Sequence, residues 1–249
     1  MVLVHGVLRE GDVAVLDRLP GPARPVTAAG LAAVVSDAPA RELDGDDAVA
    51  HLDLLVAAVR DVPVLPFAFG TALLDETAVR DDVLAPEAEV LIRRLDAVAD
   101  VVELRLDLAF DTDASVAAII GADPDVRHLA ERARRPAAGL AERLAVGEAT
   151  AVRVADHQEV LAADWTDDLV GVASRVALLH SDEQLRRTAY LVRRDRLADA
   201  DAAVARLREQ ADGLADVEYV GPLPVFSFLD DLDDEPDHTG SAQSSRWGW

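Results

Sequence analysis

Cysteine is absent from this chain, and so is lysine, which leaves arginine and histidine as its only basic side chains. Without thiols there are no disulfides, no cysteine-bearing zinc or iron–sulfur sites and no cysteine nucleophile. Without lysine there is no Schiff-base catalysis, no phosphate-loop lysine and no serine–lysine dyad. No apolar run approaches the roughly 18 residues of a membrane-spanning helix. The opening "MVLVHGVLREGD" has no basic segment before its apolar run, and His5 and Gly6 break that run. It reads as a first strand rather than an export signal, and a soluble cytoplasmic protein is the expectation. Positive charge is scarce: 24 Lys plus Arg face 47 Asp plus Glu, giving a net charge of -23 and a pI near 4.4. Such a field argues against nucleic acid or an anionic membrane as partner.

What is present is apolar bulk: 51% of the 249 residues, enough for a sizeable core. Strands are expected at Val2 to Leu8 and Leu31 to Val35, separated by the excursion "LPGPARPVTAAG". A helix follows from Asp46 to Arg60 with Val49, Leu52, Val56 and Val59 as its buried stripe. Another begins at Pro86 and buries Val90, Leu91, Leu95 and Val98. In "VVELRLDLAF", Val101 to Phe110, apolar residues alternate with Glu103, Arg105, Asp107 and Ala109, which predicts a strand with one wet face.

From Asp125 to about His180 the pattern is helical, with interruptions expected at Pro136 and Gly147. Leu161, Trp165, Leu169, Val172, Val176 and Leu179 form its stripe, and Trp165 reads as a packing residue. A strand at Thr188 to Val192, a helix carrying Leu197, Ala200, Val204 and Leu207, and a last strand from near Val217 complete the pattern. These elements predict an α+β fold of two domains. An N-terminal α/β domain covers 1–99, and 100–229 forms a modified ferredoxin-like sandwich with an expanded helical insertion. The acidic tail 230–249, ending in Trp247 and Trp249, reads as disordered.

Aromatic residues are only 4% of the chain, yet two stretches concentrate them beside prolines: "VPVLPFAFGTALLDE", Val62 to Glu76, and "VEYVGPLPVFSFLDD", Val217 to Asp231. With period two, Leu65, Phe67 and Phe69 share a face, and Pro63 and Pro66 restrict the segment to a sheet edge or an irregular extended run. Gly70-Thr71 ends it, and Asp75 is placed to cap a helix. Gly70 and Gly221 are expected to end or bend extended segments, with Phe67, Phe69, Phe226 and Phe228 packed against helices.

Chemistry finds little footing. No pair among His5, His51, His128, His157, His180 and His238 has the spacing of a helix-borne zinc motif. His51 flanks the stripe of its helix and reads as a boundary histidine, and "DHQE" at Asp156 to Glu159 marks no nucleophile. There is no G-x-S-x-G elbow and no glycine-rich dinucleotide fingerprint. Acidic doublets such as Asp81-Asp82 and Asp167-Asp168 read as solvated helix surface. No catalytic, cofactor-binding or metal residue is assigned. A binding role leads, because apolar, proline-bounded edges within an acidic exterior suit protein recognition. The alternatives are an α+β small-molecule enzyme using His51 or His157 beside a carboxylate, and a scaffold touching only accessory proteins.

His51 on its helix, "VLPFAFGT" at Val64 to Thr71, "AYLV" at Ala189 to Val192 and "GPLPVFSF" at Gly221 to Phe228 together resemble the gas vesicle protein F/L family. The order and spacing of these motifs carry the resemblance over roughly Val2 to Leu229. The chain has Ala68 where the family usually has arginine, and Leu223 and Phe226 where Trp and Tyr are common. The resemblance implies a non-enzymatic accessory protein of gas vesicle assembly, located in the cytoplasm and at the vesicle, with no cofactor. It implies binding to the hydrophobic major shell protein and other accessory proteins, and possible inclusion as a minor shell component. Its motif residues, structural or partner-binding, are His51, Pro66, Phe67, Phe69, Gly70, Thr71, Tyr190, Gly221, Pro222, Pro224, Phe226 and Phe228. The implied fold is two α+β domains, the second ferredoxin-like.

Overall fold

The computed structural model describes residues 1–133, 135, 139–182 and 184–229. In chain order the first elements are β1 (Val2–Arg9), β2 (Arg24–Ala28), β3 (Leu31–Asp37), α1 (Gly45–Val59), β4 (Leu65–Pro66), β5 (Ala72–Leu73), α2 (Glu76–Ala78) and α3 (Ala88–Ala97). A tight helical turn spans Glu10–Arg18, and a wider one, Val79–Leu84, continues α2. Then follow β6 (Val101–Phe110), α4 (Thr112–Ala122), α5 (Pro124–Ala133), α6 (Leu140–Val172), β7 (Arg175–Ser181), β8 (Leu185–Arg193), α7 (Leu197–Ala211) and β9 (Ala215–Leu223). Helices and two antiparallel sheets make this the α+β fold read from the sequence. The chain forms two compact units. Of the described residues, unit 1 takes Met1–Leu104, Leu191–Asp195 and 220–229, and unit 2 takes those within Arg105–Tyr190 and Arg196–Tyr219. The tail 230–249, with Trp247 and Trp249, and Pro136 lie outside the described residues.

In unit 1 the sheet order is β2-β3-β1-β4, with β5 also paired to β1. β1 is therefore interior, and it is buried along nearly its whole length, as expected of a strand covered on both faces. β2 was not foreseen: it lies inside the Pro- and Gly-rich excursion and pairs Arg24 to Ala28 against Val35 to Leu31.

Helix α1 starts at Asp44, whose carboxylate accepts from the amides of Asp46 and Asp47, while Asp47 accepts from the Asp44 amide in return. This reciprocal cap fixes the first turn. Its buried face is His51, Leu54, Leu55, Ala58 and Val59. The stripe expected from Val49, Leu52 and Val56 is rotated away, leaving Val49 59% and Leu52 42% exposed. The segment has apolar residues on every side, so periodicity alone does not choose the buried face, and the partner-satisfied His51 does. At its C-terminal end Arg194 donates through Nη1 to the Val59 carbonyl at 2.7 Å and through Nε to the Ala99 carbonyl at 3.3 Å. One guanidinium thus serves the carbonyl ends of α1 and of the turn after α3. Asp75 caps α2 through the Ala78 amide, as the sequence predicts.

The second sheet has the order β7-β8-β6-β9. Two strands in the middle, β8 and β6, with helices after the first and third strands in sequence, give the ferredoxin-like order. β6 lacks the wet face expected of it. Glu103 is fully buried and Asp107 nearly so, the latter holding Arg187 at 2.8 Å. Alternation in sequence records polarity, and here polar side chains were paired inward rather than solvated.

In unit 2, α6 ends at Val172, and Val176 and Leu179 belong to β7 rather than to a continued helix. The spacing from Leu161 to Leu179 fits a helix, but "RVALLHS" is a short apolar run that strand and helix fit equally well. Gly147 does not interrupt α6, since a single internal glycine costs only about 1 kcal/mol against a 33-residue helix. Trp165 packs as expected, stacked on Phe110 with ring centroids 5.9 Å apart. Gln158 donates to Ser115 Oγ at 3.1 Å beneath it in the buried layer.

Candidate functional site

The first aromatic motif is shaped by mismatched pairing along β1. On one side β1 follows β3, with its register shifting between Val4 and Gly6, at His5. On the other side Gly6 pairs with Pro66 and Leu3 with Ala72. Between those pairs Val4 and His5 face the longer stretch 67–71, which must bulge outward. The Phe67 amide donates to the His5 carbonyl and the Val4 amide to the Thr71 carbonyl, both at 2.9 Å. Within the bulge Thr71 closes a turn on the Ala68 carbonyl through its amide and hydroxyl, at 3.1 and 2.7 Å. Gly70 takes a φ of 84°, which favours glycine.

Gly6 is needed for a different reason: a Cβ there would lie 2.8 Å from the Leu65 carbonyl oxygen and 2.9 Å from Val64 Cγ2. This close approach drives Phe67 inward, to 1% exposure, and leaves Phe69 43% exposed. The expectation that both rings pack inside is thus corrected at Phe69. The period-two face of Leu65, Phe67 and Phe69 fails because only Leu65–Pro66 is strand before the bulge begins.

Below the bulge lies a chain of hydrogen bonds whose direction is fixed at one end. His51 Nε2 is 3.1 Å from the Phe67 carbonyl, which only accepts, so Nε2 carries the proton. A neutral His51 then accepts at Nδ1 from His5 Nδ1–H, 2.9 Å away. His5 Nε2 in turn accepts from the Ser36 hydroxyl at 2.8 Å. Burial, and secondarily the nearby His51, push His5 down from 6.5 to about 4. Burial also lowers His51, opposed by its bond to Phe67. Both rings are therefore neutral at pH 7, as the single-proton relay requires. Phe69 meets the edge of the His51 ring at 5.7 Å.

The second motif is held by a carboxylate. Glu103 accepts from the amides of Phe226 at 2.9 Å and Ser227 at 2.6 Å, and from the Ser227 hydroxyl at 2.9 Å. Leu223, Val225 and Phe228 are buried around it, and Phe226 is half-buried. Gly221 precedes Pro222 through a cis bond and packs on Leu104, where an added Cβ would come within 2.5 Å of Leu104 Cδ2.

The structure brings the two motifs together. A cavity of about 310 Å³ is lined by His51, Leu52, Phe67, Phe69, Phe226 and Leu229, together with Pro66 and Ala68. Of the motif residues, His51, Pro66, Phe67, Phe69 and Phe226 line this cavity. Gly70 and Thr71 shape the bulge at its rim, and Gly221, Pro222, Pro224 and Phe228 support Phe226 from the same unit. Tyr190 belongs to unit 2, where it is buried, and desolvation raises its phenol above the ordinary value. Sequence reading missed His5, Ser36 and Glu103. His5 carried one signal, its place before a glycine in a strand otherwise apolar, whereas Glu103 looked like any solvent-facing acid.

His51 faces His5 and a carbonyl rather than a carboxylate, and no group of three or more metal-ligating side chains gathers among the described residues. No described helix is long and apolar enough to cross a membrane.

Comparisons with known proteins agree with one another. The family model described as gas vesicle synthesis protein GvpL/GvpF matches residues 3–230. Gas vesicle protein F of Streptomyces sp. (strain CB03234) is 32% identical over 244 residues, covering 91% of this chain and 98% of that protein. The crystal structure of gas vesicle protein GvpF from Anabaena sp. PCC7120 superposes with a TM-score of 0.73 at 16% identity, covering 92% of this chain and 97% of that one. GvpF from Microcystis aeruginosa gives 0.69 at 14% identity, with coverage of 92% and 98%. At these identities the two crystal structures speak for the fold.

Proposed function

The chain belongs to the GvpL/GvpF family of gas vesicle synthesis proteins, and from that premise we propose that it is a non-enzymatic accessory factor that binds the hydrophobic major shell protein during vesicle assembly. It works from the cytoplasm and at the growing vesicle, alongside other accessory proteins and without a cofactor. The observation that carries this reading is the convergence of both aromatic motifs on one apolar cavity whose lining includes the exposed Phe69 and Leu52. A shell subunit awaiting incorporation presents apolar surface to water, and a complementary apolar rim lowers that cost. The net charge of -23 keeps the carrier soluble while the rim is occupied or bare. The bulge serves the same end, because it offers side chains without a continuous ladder for self-association.

Titration of the purified protein with freshly solubilised shell subunit tests this at low and high salt. Binding retained in about 0.5 M salt, where the Debye length is about 4 Å, marks an apolar contact. Phe69→Ala is expected to weaken binding about tenfold or more with the fold intact, the behaviour of an exposed aromatic anchor. Complete loss of binding in salt would assign it to charge. No association at either salt, with the protein folded, would leave a scaffold that contacts only accessory proteins.

A further inference from the structure

The helices α4, α5 and α6 enclose a cavity of about 460 Å³, within the size range of small-molecule sites. Helix α6 turns Val146, Thr150, Val154 and Gln158 to it at four-residue spacing, and α4 turns Thr112, Val116 and Ile120 to it in the same way. Apolar side chains line its body, and uncharged polar ones gather at one end. There Gln158 comes from α6, Thr112 from the start of α4, and Gln184 from the turn between β7 and β8.

Gln158 is only 6% exposed, and its one side-chain hydrogen bond among the described residues is the donation to Ser115 Oγ. A glutamine amide carries two N–H donors and a carbonyl acceptor. One donor and the acceptor are therefore left over, and they open on the cavity rather than being sealed against protein. A buried amide in this state costs free energy until a complementary group meets it. Water can serve it, but water finds too few partners along the body, where the Thr150 hydroxyl is already donated to the Val146 carbonyl at 2.8 Å. Gly147 is a second, independent sign. It lies within α6, where glycine weakens a helix, and no packing requires it, because an added Cβ would meet nothing within 4 Å. Its effect is to keep the cavity open against the α6 backbone.

We propose that this cavity binds a neutral medium-chain amphiphile, its apolar chain lying along Val116, Ile120, Val146 and Val154 and its amide head pairing with the Gln158 amide. An amide head offers a donor and an acceptor in one group, the complement of what Gln158 leaves over. The head is uncharged because the positive end of α4 is already taken by its own cap, where Asp111 accepts from the Ala114 amide at 2.8 Å. Arg143, the basic side chain on the lining, lies about 22 Å back along α6 from Gln158. The ligand is held rather than transformed, since no histidine or carboxylate is among the described lining residues. The lining belongs wholly to unit 2, so the proposal draws neither on the aromatic cavity of unit 1 nor on shell-protein binding.

Isothermal titration of the full chain with octanamide, hexanamide and octanoate reads this directly. Octanamide is expected to bind about fifteenfold tighter than hexanamide, each methylene being worth about fourfold. Octanoate should bind roughly tenfold more weakly than octanamide, because its charge is buried without a cation at the head end. Gly147→Leu, which places a side chain in the cavity on a residue that favours helix, should abolish binding without lowering the thermal midpoint. Gln158→Leu should weaken both amides about tenfold yet keep their ratio, since it removes the partner of the head and not of the chain. Amide hydrogen exchange of the wild-type protein needs no variant: octanamide should slow it across 143–158. No binding of either amide by the folded chain, or exchange unchanged by octanamide, overturns the proposal. So does binding that survives Gly147→Leu, which marks partition onto apolar surface elsewhere, or octanoate binding tighter than octanamide, which moves the head to Arg143. Protection of 143–158 that appears with added shell subunit and not with octanamide also overturns it, and assigns the cavity to that partner.

Discussion

The two proline- and phenylalanine-rich motifs read alike in sequence and are fastened in opposite senses. At Phe67 a neutral imidazole donates to a backbone carbonyl, whereas at Phe226 and Ser227 a buried carboxylate accepts from two amides and a hydroxyl. The first anchor is itself the middle of a relay, Ser36 to His5 to His51, and depends on both imidazoles staying uncharged. The second gathers three donors on one group, and hydrogen bonds to a charged acceptor are about twice as strong as neutral ones. The comparison teaches that a shared apolar texture says little about what holds it. The polar atom beneath each motif does that work, and it lies far off in sequence: His51 is 16 residues from Phe67, Glu103 is 123 from Phe226.

The sharpest test removes the charged anchor. Glu103→Ala leaves the Phe226 and Ser227 donors without their acceptor and is expected to cost about 4 to 5 kcal/mol in urea unfolding. Glu103→Gln, which retains one acceptor oxygen, should cost about half as much. If Glu103→Ala is nearly neutral, the second motif is held by packing alone. Next come the two rings of the first motif, which the bulge separates. Phe67→Ala should cost about 3 to 4 kcal/mol, a large buried ring lost. Phe69→Ala should cost under about 1 kcal/mol, its effect falling on shell-subunit binding. Equal costs would mean that the outward turn of Phe69 does not persist in solution.

A further test separates the anchors by pH. His5 has a folded pKa near 4 against 6.5 when free, so between these values the unfolded chain binds more protons. Its contribution is fully present above pH 6.5, falls as pH drops through that window, and is spent below about 4. The shift corresponds to at most about 3 kcal/mol. In His5→Gln this slope between pH 6.5 and 4 should flatten, as urea midpoints across that range will show. A slope unchanged by the substitution would place the acid sensitivity elsewhere.

Several things were legible in the sequence itself. The missing residue types excluded whole chemistries, strand and helix order followed from apolar spacing and capping residues, and the motifs identified the family. These depend on local chemistry and composition, which a linear string carries. What it did not carry was any choice between equivalent local readings. α1 is apolar on several sides, and only the sheet beneath it selected the His51 face over Val49 and Leu52. "RVALLHS" suits helix and strand, and pairing with β8 decided it. Glu103 alternates like a solvated residue, yet the return of the chain at Phe226 and Ser227 supplied donors that made its burial tolerable. Phe67 and Phe69 are alike until β1, tightened by Gly6, forces a bulge that turns one ring inward and the other out. Each of these outcomes depends on groups brought together from distant positions, and only the tertiary structure sets which polar atoms meet and which apolar faces remain uncovered.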